Sequence, residues 1–486
     1  MMKKFYITTS IVYTNASPHI GFAFELIQAD VIARYKRIRG YDVWFLTGTD
    51  EHGLKIEQKA KSLDRKTQDF CDEVVDEYKK LIRDLNISND DLIRTTDQER
   101  HWVGVTNLWD KMVVAGDIYE KEYEGLYCVG CESFIKEKEL VDGKCIYHHK
   151  MPEKINEKNW FFRLSKYTDK IEENIKNNTL KIIPESKKKE MISFISRGLE
   201  DISFSRPKNK VGWGIPVPND SSQLIYVWGD ALVNYISAIG YGKDNIQFEK
   251  YWPADIHFIG KDILKFHSII WQGMLLSAGL PLPKNIFTHG FLTIDGQKIS
   301  KSLGNVINPF DLIREYGADA VRYYFLREIS PTADGDFSHN KFKERYNSDL
   351  ASGLGNLLSR VLTMSEKSKI GNRGLSVTTN DISVLLEIEK TRERYNNLLE
   401  EFKFNEALAS IWELIAFSDR YIEIEKPWDN KTEDLGIKNK KVIFDLLIVL
   451  DNIADLLGPF MPKTSVEIKR QLVEGKGDPL FKRKNS

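Results

Sequence analysis

Pro18-His19-Ile20-Gly21-Phe22 follows an apolar segment and sets an imidazole two residues before a glycine. At a strand-to-helix turn, that pair suits a nucleotide: bare backbone can approach closely, and the head of a helix favours anions. Far downstream, Lys298-Ile299-Ser300-Lys301-Ser302 puts two ammonium groups and two hydroxyls on a segment flanked by Gly296 and Gly304. Such a loop suits a polyphosphate. A third group has the spacing of metal ligands. Cys128-Val129-Gly130-Cys131 is followed, after a spacer of thirteen residues, by Cys145-Ile146-Tyr147-His148. CxxC and CxxH supply four ligands for one tetrahedral zinc ion, with Gly130 and Gly143 relaxing the turns. A disulfide is the rival reading, but three cysteines leave an odd thiol and the compartment reads as reducing. His149 is the alternative fourth ligand, and the two-residue spacing favours His148.

These groups need elements to hold them. Phe5 to Ser10 reads as a buried strand, and Ile20, Phe24, Ile27, Val31 and Tyr35 follow a helical period that stops at Gly40. Asp42 to Thr47 is a second strand. Strand, helix, strand implies a parallel, doubly wound α/β sheet with ligands at the carboxyl ends of its strands. Asn15–Gly21 and Thr47–Gly53 sit at two such ends. Helices are expected near 66–86 and 97–115, with Cys71 on a buried stripe beside Val75, Tyr78, Ile82 and Leu85 as a core cysteine. From 117 to 210, short aromatic strands and lysine-rich segments read as an inserted domain. Strand character returns at Leu224–Trp228, Asp255–Gly260 and Asn285–Gly290. After residue 340 only amphipathic helices remain, at 345–368, 380–400, 404–424 and 437–457, an all-α bundle.

Composition narrows the class. The chain has 486 residues, 42% of them apolar and 29% charged, which describes a globular protein of several domains. Its 70 basic and 71 acidic residues balance, so any nucleic-acid surface must be a local patch. The N-terminal segment is too short and polar for a signal peptide. No apolar run reaches the roughly 18 residues of a membrane span; Val442–Leu457 is broken by Asp445, Asp451 and Asp455. A cytoplasmic location is expected.

In their order, the first two segments resemble the HIGH and KMSKS signatures of class I aminoacyl-tRNA synthetases. Thr47-Gly48-Thr49-Asp50-Glu51-His52-Gly53, the CxxC/CxxH knuckle, Trp213–Pro218 and Tyr226–Ala231 narrow the resemblance to the methionyl-tRNA synthetase family. Phe258-Ile259-Gly260-Lys261-Asp262 with His267, and His289-Gly290-Phe291, add to it. The match runs from residue 5 to residue 460. It implies a Rossmann-type catalytic domain in two halves, 1–116 and 223–292. Between them lies a connective insertion, 117–222, with a zinc knuckle at 125–150. A KMSKS-loop and stem-contact region at 293–345 and a helical anticodon-binding domain at 346–486 follow.

The resemblance also implies the chemistry. Methionine is activated with ATP and Mg²⁺ to methionyl-adenylate, and the acyl group passes to initiator and elongator tRNA(Met). His19 is expected to donate to phosphate and Gly21 to lie under the adenine. Lys298 and Lys301 would clamp the β- and γ-phosphates, and Ser300 and His289 would complete the ATP site. The methionine pocket carried over from the family comprises Ile11, Tyr13, Asp50 for the ammonium, and Trp228, Ala231, Leu232, Tyr235 and His267. Asn356, Arg360 and Trp428 are the expected anticodon readers. Lys187–Lys189 and Lys438, Lys440 and Lys441 are candidates for tRNA phosphates.

One position departs from the family pattern. Phe22 stands where the signature has its second histidine, and phenylalanine cannot donate a hydrogen bond. An active enzyme is expected all the same, with His52 or Lys301 as candidates to compensate. The alternatives are a synthetase-like tRNA-binding protein with an impaired site, or a cysteine-tRNA ligase, whose zinc would sit in the amino-acid pocket. The chain stops at Ser486, which leaves no room for the dimerising C-terminal domain of some relatives, so a monomer is expected.

Overall fold

The computed structural model describes residues 2–128, 133–135, 137, 140–146, 149–298, 307–368, 379, 381–429 and 433–484. They form two compact units. One comprises residues 1–18, 36–80 and 88–289; the other comprises 19–35, 81–87 and 290–486.

The first unit is built on a six-stranded parallel sheet. Its strands, in chain order, are β1 (Lys4–Tyr13), β2 (Asp42–Asp50), β3 (Asp91–Arg94), β4 (Lys181–Ile183), β5 (Ile256–Gly260) and β6 (Asn285–His289). Across the sheet they run β3-β2-β1-β5-β6-β4. Continuous apolar runs such as Ile256–Gly260 are buried along their whole length, as strands covered on both faces must be. The register slips between Thr8 and Ile11, so that Ile11 faces Gly48 and Tyr13 faces Asp50. One continuous core takes in Tyr6, Leu46, Ile93, Trp109, Tyr235, Trp271 and Ile286. A smaller cluster joins Ile56, Ala60, Phe70, Cys71 and Val74. Cys71 is the core cysteine that its helical stripe predicts, and burial pushes its thiol up to about 12.

Two expectations need correction here. Lys181–Ile183 falls inside the segment read as an insertion, yet it is hydrogen-bonded along β6 as the sheet's edge strand. Leu224–Trp228, read as one strand, divides: Asp220–Ile225 is a strand and Val227–Ala231 a short helix. In the remainder of 117–222 the strands pair antiparallel, chiefly the long pair Ile118–Cys128 with Glu153–Phe162.

The second unit is largely helical. His339–Arg345, a π-helical stretch Tyr346–Gly355 and Asn356–Lys367 follow one another without a break. Ile382–Glu400, Phe404–Glu425, Glu433–Leu457 and Pro462–Glu474 complete the bundle. Local chemistry sets the ends. Asp381 accepts from the Ser383 and Val384 N–H groups at 2.9 and 3.2 Å, capping the first of these helices. Pro462 opens the last one, where its missing N–H costs nothing. Within this unit Arg322 is fully buried, paired to Asp30 at 2.7 Å and donating to the carbonyls of Pro459 and Phe460.

Candidate amino-acid and nucleotide sites

Ile11, Tyr13 and Asp50, expected around an amino acid, lie at the carboxyl ends of β1 and β2. Thr14 N–H donates to the Asp50 carbonyl at 3.0 Å, which holds the two strand ends together. The Asp50 side chain is mostly buried. The next residue, Glu51, is fully buried, and Arg94 donates to both its oxygens at 2.7 Å. Hydroxyls of Thr49 and Thr96 add bonds of 2.7 and 2.8 Å. Four donors on one carboxylate make a rigid turn, because each is a charge-assisted bond.

His52 then links that turn to the short helix Val227–Ala231. Its Nδ1 lies 2.6 Å from Asp230 Oδ2, and His101 Nε2 lies 2.7 Å from the other carboxylate oxygen. His101 Nδ1 is 2.9 Å from the Ser237 hydroxyl. Burial alone would raise the Asp230 pKa; the two imidazoles outweigh it and hold the carboxyl below its usual range. The same helix is seated by Gly229, where a Cβ would lie 2.6 Å from the Phe204 ring. The bridge therefore fixes Trp228 and Ala231 relative to Asp50.

The aromatic wall follows. Trp228 is half-buried and stacks on Phe266, with centroids 3.7 Å apart and planes within 5°. Its ring meets His267 edge-on at 6.4 Å. The Tyr235 hydroxyl lies 2.8 Å from His267 Nε2, and His267 Nδ1 lies 3.0 Å from the Ile263 carbonyl. A carbonyl only accepts, so Nδ1 carries a proton; in the neutral ring Nε2 then accepts and the Tyr235 hydroxyl donates. Tyr6 reaches the Tyr235 carbonyl at 2.7 Å. Behind them His257 is fully buried, 4.2 Å from the Tyr235 ring centroid and 2.7 Å from the Thr8 hydroxyl. Burial, and then the neighbouring His267, push its pKa well down.

Trp228, Tyr235 and His267 thus come together as expected. Leu232 is core, and Ala231 is buried beside Asp230. Ile11 packs against that core, whereas Tyr13 packs toward the Cys71 cluster with Lys55 Nζ 5.7 Å from its ring centre. Spacing did not single out Phe266, His101, His257 or Asp230 as functional. Asp230 sits inside the Tyr226–Ala231 motif and Phe266 directly before His267, but His101 and His257 carry no local signal. His52 is not a spare phosphate donor, because its ring is buried and its Nδ1 is held by Asp230.

The nucleotide-type residues lie as follows. His19 and Phe22 are half-buried at the start of the helix Ile20–Ile38, and Gly21 N–H donates to His19 Nδ1 at 3.0 Å. His289 ends β6 and is mostly buried. Lys298 ends a hairpin, Leu292–Ile294 with Gln297–Lys298, whose turn has positive φ at Asp295 and Gly296. Asp336 pins that turn, accepting from Gly296 N–H at 2.8 Å and the Thr293 hydroxyl at 2.7 Å. Ser300 and Lys301 lie outside the described residues, as do Cys131 and His148. Cys128 and Cys145 are buried at the ends of paired strands, Cys128 opposite Ser133 and Cys145 opposite Leu140. Among the described residues, no cysteine forms a disulfide.

In the helical bundle, Ser359, Arg360, Thr363, Met364 and Trp428 line one surface groove. Trp428 is 55% exposed, and Arg360 is paired to Asp419 at 3.0 Å. Asn356 is exposed one turn earlier on the Arg360 helix. Three of the lysines proposed for phosphate are otherwise engaged. Lys188 is buried on the Asn178 side chain at 2.7 Å, Lys187 pairs with Glu190, and Lys438 pairs with Glu425.

Comparison with known proteins matches residues 5–150 and 135–362 to the family described as tRNA synthetases class I (M). Residues 381–484 match the anticodon-binding domain of tRNA ligase. The methionine–tRNA ligase of Thermotoga maritima is 45% identical over 96% of this chain and 75% of its own length. That of Rickettsia felis is 42% identical over 99% and 94%. The Mycobacterium tuberculosis methionyl-tRNA synthetase in complex with methionyl-adenylate superposes with a TM-score of 0.91 at 40% identity, covering 96% of this chain and 93% of that one. Its apo form gives 0.86 at 34% identity, covering 100% and 99%.

Proposed function

The chain belongs to the methionyl-tRNA synthetase family, and from that premise we propose how its own residues divide the work of the ligase reaction. The reaction is that of a methionine–tRNA ligase. A methionine carboxylate oxygen attacks the α-phosphorus of ATP, the bond to pyrophosphate breaks, and methionyl-adenylate results. A hydroxyl of the terminal adenosine of tRNA(Met), initiator or elongator, then takes the methionyl group and AMP leaves. A Class I catalytic domain and a helical anticodon-binding domain carry the two halves of this task.

Asp50 pairs with the substrate ammonium, and Trp228, Tyr235 and His267 surround the thioether, with Ile11, Tyr13, Ala231 and Leu232 shaping the walls. The observation that carries this assignment is the Asp230 bridge, which ties the acidic turn to the aromatic helix through His52 at 2.6 Å and braces that helix on His101 at 2.7 Å. An aromatic box favours sulfur through its polarisable contacts with ring edges. His19 donates to phosphate, and Gly21, His289, Lys298, Ser300 and Lys301 complete the ATP site. Charge grows on the departing pyrophosphate, so fixed donors and ammonium groups lower the barrier there. Mg²⁺ accompanies ATP as counter-charge.

One zinc ion would be held by Cys128, Cys131, Cys145 and His148. The two described cysteines fit such a centre in that both are buried, each on a paired strand. Asn356, Arg360 and Trp428 read the anticodon. No described helix is long and apolar enough to cross a membrane.

ATP–pyrophosphate exchange across the twenty amino acids tests the reading. Exchange with methionine alone, on a preparation carrying one zinc per chain, is expected. Exchange with cysteine, or with none while Phe22→His restores it, would overturn the reading.

A further inference from the structure

Phe22 takes the place of the signature's second histidine, and the structure gives its ring a use. It stacks on the His19 imidazole, with centroids 4.2 Å apart and planes at 22°. On the other side, Gly21 N–H donates to His19 Nδ1 at 3.0 Å. A Cβ on Gly21 would lie 2.8 Å from His19 Cε1 and 3.0 Å from Nδ1. The bare face of Gly21 thus makes room for the imidazole itself, a closer neighbour than the adenine expected there. Because Nδ1 accepts a hydrogen bond, the neutral ring carries its proton on Nε2.

We propose that Phe22 is a positioning residue for the activation step: an aromatic platform that, with Gly21, holds the His19 ring with its Nε2–H as the phosphate donor. The proposal rests on the reading of His19 as that donor. A phenylalanine here gives up one hydrogen bond and in exchange restricts the rotation of the other donor. Orientation of a donor is itself a rate term, since a donor displaced from the developing charge stabilises it less.

Methionine-dependent ATP–pyrophosphate exchange on the full chain tests it, comparing wild type, Phe22→Ala, Phe22→Tyr, His19→Ala and the His19→Ala/Phe22→Ala double variant. Phe22→Ala is expected to lower kcat by about tenfold, the scale of one lost aromatic stack, with KM for methionine unchanged. Phe22→Tyr keeps the stack and the rate. In the His19→Ala background, Phe22→Ala costs nothing further. On samples enriched in ¹⁵N at histidine, His19 is expected as the Nε2–H tautomer in the wild type and as a mixture in Phe22→Ala. An unchanged rate in Phe22→Ala, or the same tenfold loss in both backgrounds, overturns the proposal. If His19→Ala alone exchanges at the wild-type rate, the reading of His19 falls instead. The tautomer spectra then decide independently whether Phe22 holds the ring.

Discussion

His267 presents its Nε2 lone pair to the Tyr235 hydroxyl because its Nδ1–H is spent on the Ile263 carbonyl. The wall that would meet a thioether therefore has its His267 and Tyr235 polar atoms engaged within the protein. His257 extends the same logic inward. Among the described residues its Nε2 has no hydrogen-bond partner, so a charged ring would bury an unsatisfied N–H. Burial keeps the ring neutral by pushing its pKa well down. In the unfolded chain that imidazole meets water and binds a proton below about pH 6.5. The unfolded state thus takes up more protons on acidification. Stability from this group is complete above that pH and falls below it by up to about 1.4 kcal/mol per pH unit. Urea unfolding at pH 7.5 and at pH 5.5 reads the effect. His257→Asn keeps a polar atom near the Thr8 hydroxyl but does not titrate, so its loss on acidification should be smaller than the wild type's by about 1 kcal/mol. Equal losses in the two proteins would remove His257 from the account.

Between elements, Asp230 carries the most. Its two oxygens face His52, from the turn after β2, and His101, from the helix His101–Val114. Removing the carboxylate leaves two buried imidazoles with no counter-group, and breaking such a pair costs about 3 kcal/mol. Asp230→Ala should lower the urea midpoint accordingly and raise KM for methionine in exchange, because the Asp50 turn and the Trp228 helix lose their link. A variant within 0.5 kcal/mol of wild type, a cutoff well inside the expected cost, would show the link is dispensable. This bridge was not legible in the sequence. His101 lies 129 positions from Asp230, and a lone histidine at a helix start announces nothing. The short helix was misread for a physical reason too. Leu224-Ile225-Tyr226-Val227-Trp228 is a β-branched and aromatic run that reads as strand, while its end turns into the helix Val227–Ala231, whose Gly229 leaves room for the Phe204 ring. The three-residue edge strand Lys181–Ile183 hides in lysine-rich sequence in the same way. By contrast, β1, β2, β5 and β6 were plain, since parallel strands buried on both faces are continuous apolar runs. The bundle helices were plain from their 3.6-residue period, and the roles proposed for His19, Asp50 and the pocket aromatics rest on ordered motifs, which survive where single residues carry no signal.

At the scale of the whole molecule, activation uses methionine and ATP alone, whereas charging also uses tRNA, so the two reactions separate the roles of different surfaces. The chain is nearly neutral, with 70 basic and 71 acidic residues, and Lys188 and Lys438 are committed to partners within the protein. Long-range attraction therefore supplies little discrimination, and tRNA must be recognised by a built surface. The groove holding Trp428 and Arg360 has the right ingredients. A ring that stays 55% exposed, when most of the described aromatics are buried, is available to stack on an unpaired base. The neighbouring guanidinium is already oriented by Asp419 at 3.0 Å. Stacking of a base on an aromatic ring is worth about 1–3 kcal/mol. Trp428→Ala should therefore raise KM for tRNA(Met) in the charging reaction by about tenfold to a hundredfold. ATP–pyrophosphate exchange without tRNA reports on the same preparation's fold and pocket, and should keep its wild-type rate. If exchange and charging fall together, Trp428 supports the fold; if KM for tRNA does not move, the anticodon is read elsewhere on the bundle.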